Sequence, residues 1–165
     1  MNDDLKHESK ILLTDLYELT MMAAYYDSGM EDRQAVFEYI FRRLPHNTGF
    51  AILAGLGPLL DDLAELHFSP DDLEYLRSLE IFADEFIEAI KDFRFECDVY
   101  TAPDGSLIFP NETVLWVHGP LAQSQIIETL VLNRLNYQTL IATKAARCVA
   151  AAQGDPIVEF GLRRA

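Results

Sequence analysis

The chain has 165 residues, half of them apolar, with 13 Lys and Arg against 27 Asp and Glu for a formal charge of −14. That is one domain's worth of chain with material for a core, which excludes whole-chain disorder. An acidic chain is also a poor non-specific binder of nucleic acid, because phosphate neutralisation supplies most of that affinity. No apolar run reaches the roughly 18 residues of a membrane span, since Ile11–Tyr26 carries Asp15, Glu18 and Thr20. The polar first residues do not form a secretory leader. Cys97 and Cys148 have neither metal-ligand spacing nor a disulfide framework. A soluble, cytoplasmic protein is expected, with residues 1–10 flexible.

Residues 11–28 predict a helix, with Asp15 and Glu18 spaced as a capping box and Gly29 as the stop. Residues 34–44 alternate as a strand, Phe37, Tyr39, Phe41 and Arg43 on the buried side and Val36, Glu38, Ile40 and Arg42 on the other. In the extended doublet Arg42-Arg43, only one side chain can aim at a given ligand. After Gly55-Leu56-Gly57-Pro58, helical spacing resumes over Leu59–Leu66. Ser69-Pro70-Asp71-Asp72 opens the next helix, and Asp84–Phe93 forms another. Residues 61–98 hold thirteen acids against Arg77, Lys91 and Arg94, a solvated acidic face.

From Cys97 the pattern turns to short strands, Asp98–Ala102, Leu107–Phe109 and Val114–His118, separated by proline-, glycine- and asparagine-bearing turns. Trp116 is expected in the core. Pro120 opens a stretch free of proline and glycine up to Gln153, with one stripe of Ile126, Ile127, Leu130 and Val131. A second stripe runs through Tyr137, Leu140, Ile141, Ala145, Cys148, Val149 and Ala152. Its length predicts a break near Asn133–Asn136. Pro156–Phe160 reads as a strand. A helix delivering the chain into one strand is the start of a βα alternation that needs further units to bury its sheet. The expected class is therefore α/β: an α+β domain over 11–120, then helices and the first strand of an incomplete α/β barrel over 121–165, in a truncated chain.

Four segments carry wording beyond periodicity. They are Leu12-Leu13-Thr14-Asp15-Leu16-Tyr17-Glu18-Leu19-Thr20-Met21, Phe41-Arg42-Arg43-Leu44-Pro45, Thr139-Leu140-Ile141-Ala142-Thr143-Lys144-Ala145-Ala146-Arg147 and Glu159-Phe160-Gly161-Leu162-Arg163-Arg164-Ala165. In this order they resemble nicotinate phosphoribosyltransferase, from Lys10 onward. The resemblance implies a type II phosphoribosyltransferase that joins nicotinate to 5-phosphoribosyl 1-diphosphate, with Mg²⁺ on the phosphates and ATP hydrolysis driving synthesis. It also implies a homodimer in which the N-terminal tyrosine of one subunit enters its partner's pocket.

By the same resemblance Tyr17 stacks on the pyridine ring, Phe160 takes the opposite ring face, and Arg163 lies near the ring substituent and phosphates. Arg164 could equally take the phosphate role, and Arg42 or Arg43 is the candidate for the sugar diphosphate. A flat aromatic acid suits two aromatic faces and a guanidinium fork. Displacement at the anomeric carbon passes through a cation-like centre, so orientation and charge stabilisation of the leaving diphosphate do most of the work. The family's phosphorylated histidine and main sugar-phosphate loop lie on later segments. His7, His46, His67 and His118 stand outside that context and receive no role, nor is any metal ligand assigned. The chain alone is expected to lack turnover. The competing reading is a non-catalytic interaction module that associates with a full-length subunit. Lys144 and Arg147 read as a solvated pair, and the cysteines as packing residues.

Overall fold

The structure is a computed structural model that describes residues 9–44 and 48–161. In chain order the elements are α1 (Leu16–Asp27), β1 (Gln34–Ile40), β2 (Ala51–Ile52), α2 (Leu56–Ala64), α3 (Pro70–Ser78) and α4 (Asp84–Ile90). Then come β3 (Asp98–Thr101), β4 (Leu107–Ile108), β5 (Thr113–Pro120), α5 (Leu121–Ile126) and α6 (Glu128–Ala152). The mixed helix and sheet architecture agrees with the α/β class expected.

β5 is the centre of an antiparallel sheet ordered β1-β5-β3. Its register places Tyr39 opposite Leu115 and Glu38 opposite Trp116. Because side chains alternate across a strand, Tyr39, Leu115 and Val117 fall on the face covered by α5 and α6 and are buried. Val36, Glu38 and Trp116 fall on the other. Trp116 is thus not a core residue: it is 40% exposed and lies nearly parallel to Tyr100, with ring centroids 6.1 Å apart. The strand ends at Ile40 rather than at 44; on its aromatic side Tyr39 is buried and Phe37 half-buried, Phe41 just beyond it packs edge-to-face on Tyr39 at 5.1 Å, and Arg43 is exposed.

β2 and β4 form a separate two-stranded ladder, and among the described residues no strand lies at β2's other edge. α6 supplies what a strand would. The Thr143 hydroxyl accepts from the Ile52 N–H at 2.8 Å, and the Thr139 hydroxyl accepts from the Ala54 N–H at 3.1 Å. This accounts for two threonines buried within a helix, since buried backbone donors require partners. Arg134 adds an ion pair from α6 to Asp62 of α2, 2.5 Å long. Gly55, at φ +114°, lies against this helix, and a Cβ there would stand 2.8 Å from the Arg134 carbonyl oxygen.

Several helix boundaries follow their chemistry. Ser69 accepts from the Asp72 N–H while Asp72 accepts from the Ser69 N–H, a full capping box worth about 1 kcal/mol. α1 starts at Leu16 rather than at 11, with Asp15 in the N-cap position but making no side-chain cap.

The break expected at Asn133–Asn136 falls instead at Ile127, between α5 and α6. There a turn lets Ile126 and Ile127 both enter the core. At Asn133–Asn136 the helix runs on because Leu135 is fully buried and Asn136 accepts from the Tyr39 hydroxyl at 2.7 Å.

The second stripe is also corrected. α6 buries Leu135, Thr139 and Thr143, whereas Tyr137, Leu140, Ile141 and Val149 are exposed. Cys148, expected to be a packing residue, is exposed with them. Pro156–Phe160 belongs to no sheet. A strand needs a neighbour to take its N–H and C=O groups, and among the described residues none lies beside this segment.

Candidate functional site around Tyr17

Tyr17 is the second residue of α1. Leu19 and Met22 anchor that helix in the core, which leaves the Tyr17 ring on the rim, 46% exposed. It is not locked inside its own subunit. Partial loss of hydration, then the neighbouring Glu128 carboxylate and the charges of Glu18 and Asp15, push its phenol up to about 12. The hydroxyl therefore stays protonated and can act as a donor at neutral pH.

Glu18, read from sequence as half of a capping box, does something else. Its carboxylate is fully buried, 0% exposed, between α1 and the start of α6. One oxygen accepts from the Thr14 hydroxyl at 2.6 Å. The other accepts from the Thr129 N–H at 3.2 Å and the Thr129 hydroxyl at 2.5 Å. Burial raises its pKa, and the charge of Glu128 pushes the same way against the lowering effect of these donors.

Glu128 links Tyr17 to the rest of the site. It lines a half-open cavity of about 270 Å³ with Arg42, Phe37, Tyr39, Val131 and Leu132. Tyr17 stands beside the acid and outside the cavity wall. Arg43 instead lines a separate shallow hollow with Phe41, Leu44, Asn136 and Leu140. The doublet is split between two hollows, and Arg42 is the member that lines the same cavity as Glu128. Among the described residues Arg42 forms no ion pair.

Phe160 is elsewhere. Tyr17 stands at the N-terminal end of α6, a helix of 25 residues and so about 37 Å long. Phe160 lies eight residues past its other end and is 79% exposed. Among the described residues no aromatic pair joins the two rings. Arg163 and Arg164 lie outside the described residues. No group of three or more His, Cys, Asp or Glu among the described residues is arranged to hold a metal ion. Cys97 is half-buried, its thiol raised mainly by burial, which is unlike an activated nucleophile.

The sequence reading passed over Glu18, Glu128 and Thr129. A signal for the first was present: Glu18 shares the buried face of α1 with Leu19 and Met22, one and four residues on. An acid within an apolar stripe calls for partners.

A family profile described as the nicotinate phosphoribosyltransferase (NAPRTase) N-terminal domain matches residues 12–136. Nicotinate phosphoribosyltransferase pncB2 of Mycobacterium tuberculosis is 46% identical over 154 residues, covering 93% of this chain and 33% of the relative. The nicotinate phosphoribosyltransferase of Bacillus subtilis is 41% identical over 160 residues, 97% of this chain and 33% of the relative. The crystal structure of human nicotinic acid phosphoribosyltransferase superposes with a TM-score of 0.83 at 37% identity, covering 93% of this chain and 31% of that one. No helix among the described residues is long and apolar enough to cross a membrane. The chain spans about a third of the length of the curated relatives it matches, and it belongs to the nicotinate phosphoribosyltransferase family, whose N-terminal domain it carries.

Proposed function

We propose that this chain supplies the N-terminal domain of an enzyme that joins nicotinate to 5-phosphoribosyl 1-diphosphate, a cytoplasmic step in making pyridine nucleotides. In this reading two copies of the longer enzyme pair, and Tyr17 of one presents its ring to the pyridine bound by the other. Phe160 meets the opposite face, and Arg163, with Arg164 as the alternative, meets the carboxylate or phosphates. Arg42 serves the sugar diphosphate in preference to Arg43, because it lines the cavity that Glu128 borders next to Tyr17. The observation carrying the proposal is the Tyr17 ring itself: half-exposed on a helix anchored in the core by Leu19 and Met22, with no paired ring among the described residues. A ring held in this way loses little freedom on stacking, which adds about 0.5–1.5 kcal/mol per aromatic pair beyond burial.

In the proposed assembly Mg²⁺ would neutralise the diphosphate and ATP hydrolysis would drive synthesis. The described residues contain no group of three or more His, Cys, Asp or Glu that could hold the cation. A second reading, a non-catalytic module that joins a full-length subunit, is favoured by the exposed Tyr137, Leu140, Ile141, Val149, Ile157, Val158 and Phe160. Apolar surface of that extent calls for a cover.

A mixing experiment tests both. The chain alone is expected to form no nicotinate mononucleotide from nicotinate, 5-phosphoribosyl 1-diphosphate and ATP. Mixed with a polypeptide carrying the remaining two thirds of the Bacillus subtilis relative, it is expected to restore turnover. In that mixture Tyr17→Ala raises the nicotinate KM about tenfold, equivalent to about 1.4 kcal/mol, and Tyr17→Phe much less. Turnover by the chain alone overturns the proposal, as does equal restoration by Tyr17→Ala. Tight association without turnover leaves the module reading in its place.

A further inference from the structure

α6 begins without a cap of its own: Ile127 occupies the N-cap position, and no side chain of the helix accepts from its first turn. The first four N–H groups of a helix need acceptors from elsewhere. For Thr129 that acceptor is Glu18, which belongs to α1 and lies 111 residues earlier in the chain. The same carboxylate takes the Thr129 and Thr14 hydroxyls, so both oxygens are occupied and three donors are satisfied in a space closed to water. Glu18 adjoins Tyr17 in sequence, and Glu128, the acid beside the Tyr17 hydroxyl, adjoins Thr129. The contact between the two helices at this point is therefore buried: Glu18 of α1 holds Thr129 of α6 at 3.2 and 2.5 Å, and the ring of the adjoining Tyr17 stands exposed beside it. That buried contact is shielded from competing water, and it sets the position from which the tyrosine reaches out.

We infer that Glu18 is the positioning residue of Tyr17: by capping α6 from α1 it fixes where the Tyr17 ring stands on the rim. The inference rests on the reading of Tyr17 as a ring-stacking residue, and it makes Glu18 a determinant of that function without contact to substrate. Gln is expected to substitute, because its oxygen can accept from Thr129 while its NH₂ donates to a Thr14 hydroxyl turned to accept. Ala is not.

The experiment places 3-fluorotyrosine at position 17 of the full 165-residue chain and records its ¹⁹F resonance. Glu18→Ala is expected to move the resonance towards free fluorotyrosine and sharpen it, and Glu18→Gln to return it to the native position. Leu76→Ala, a cavity in α3 away from the clasp, is expected to lower Tm while leaving the resonance in place. Should Glu18→Ala fail to fold, Thr129→Val, which removes one donor and keeps the side-chain shape, is expected to shift the resonance the same way. A native resonance in both Glu18→Ala and Thr129→Val overturns the inference, and so does an equal shift in Leu76→Ala. Failure of the ring-stacking reading would appear separately, as restored turnover by Tyr17→Ala in the mixing experiment with the ¹⁹F result intact.

Discussion

The hydroxyl of Tyr39, on β1, donates to Asn136 Oδ1 on α6 at 2.7 Å, joining residues 97 apart in the chain. The bond closes the sheet's inner face under the helix, and burial keeps the phenol protonated by raising its pKa. Tyr39→Phe keeps the ring and leaves Asn136 without its donor. The expected loss is about 1 kcal/mol, or a Tm drop of about 2–4 °C for a domain of this size, measured by thermal denaturation. Because the asparagine is part-buried, Tyr39→Phe with Asn136→Leu should recover some of that loss.

The threonines of α6 stand in for a strand along β2. Thr143→Val keeps shape and removes the acceptor for the Ile52 N–H, an expected cost of about 1–3 kcal/mol. Hydrogen exchange gives the more specific check: the Ile52 amide should lose protection in Thr143→Val, and the Ala54 amide in Thr139→Val. Exchange unchanged in both variants would mean that these amides are shielded by burial alone.

Glu18 makes stability depend on pH with a definite sign. A carboxyl whose pKa is raised on folding binds its proton more tightly in the folded state. The stability it lends is full below its ordinary value of 4.5 and is lost as pH rises through the folded value. Glu18→Gln removes that dependence. Urea midpoints of the two proteins should therefore lie close together near pH 4, with the variant gaining on the native chain as pH rises to 7. A native chain that gained on the variant over that range would show the three donors outweighing burial.

The two thiols should separate cleanly. Cys148 is exposed, while Cys97 is half-buried with its thiol raised by burial and its sulfur 3.4 Å from the Ser124 hydroxyl. Brief iodoacetamide treatment of native protein should modify Cys148 at least tenfold faster, read by peptide mass spectrometry. Comparable rates would mean that the contacts around Cys97 open readily.

Much of the local structure was legible because it depends on neighbours in the chain. The Ser69 capping box, the buried face of β1 and the turns flanking β4 follow from residues within four positions of one another. The family wording around Tyr17 was legible too, since it is a string of residue types and needs no coordinates. The helix break was misplaced because a gap in periodicity cannot reveal that Asn136 has a partner on β1. Trp116 was misassigned because alternation says which residues share a face of a strand, not which face α5 and α6 will cover.

Sequence by itself thus determined the class of fold, the family and the identity of an aromatic near the front of the chain, all properties of order and spacing. Tertiary structure alone decided that Glu18 is buried, that Glu128 stands between Tyr17 and the cavity of Arg42, and that the apolar stripe of α6 is left uncovered. Each of these depends on where α6 comes to lie against residues far earlier in the chain, and water is excluded only once that packing exists.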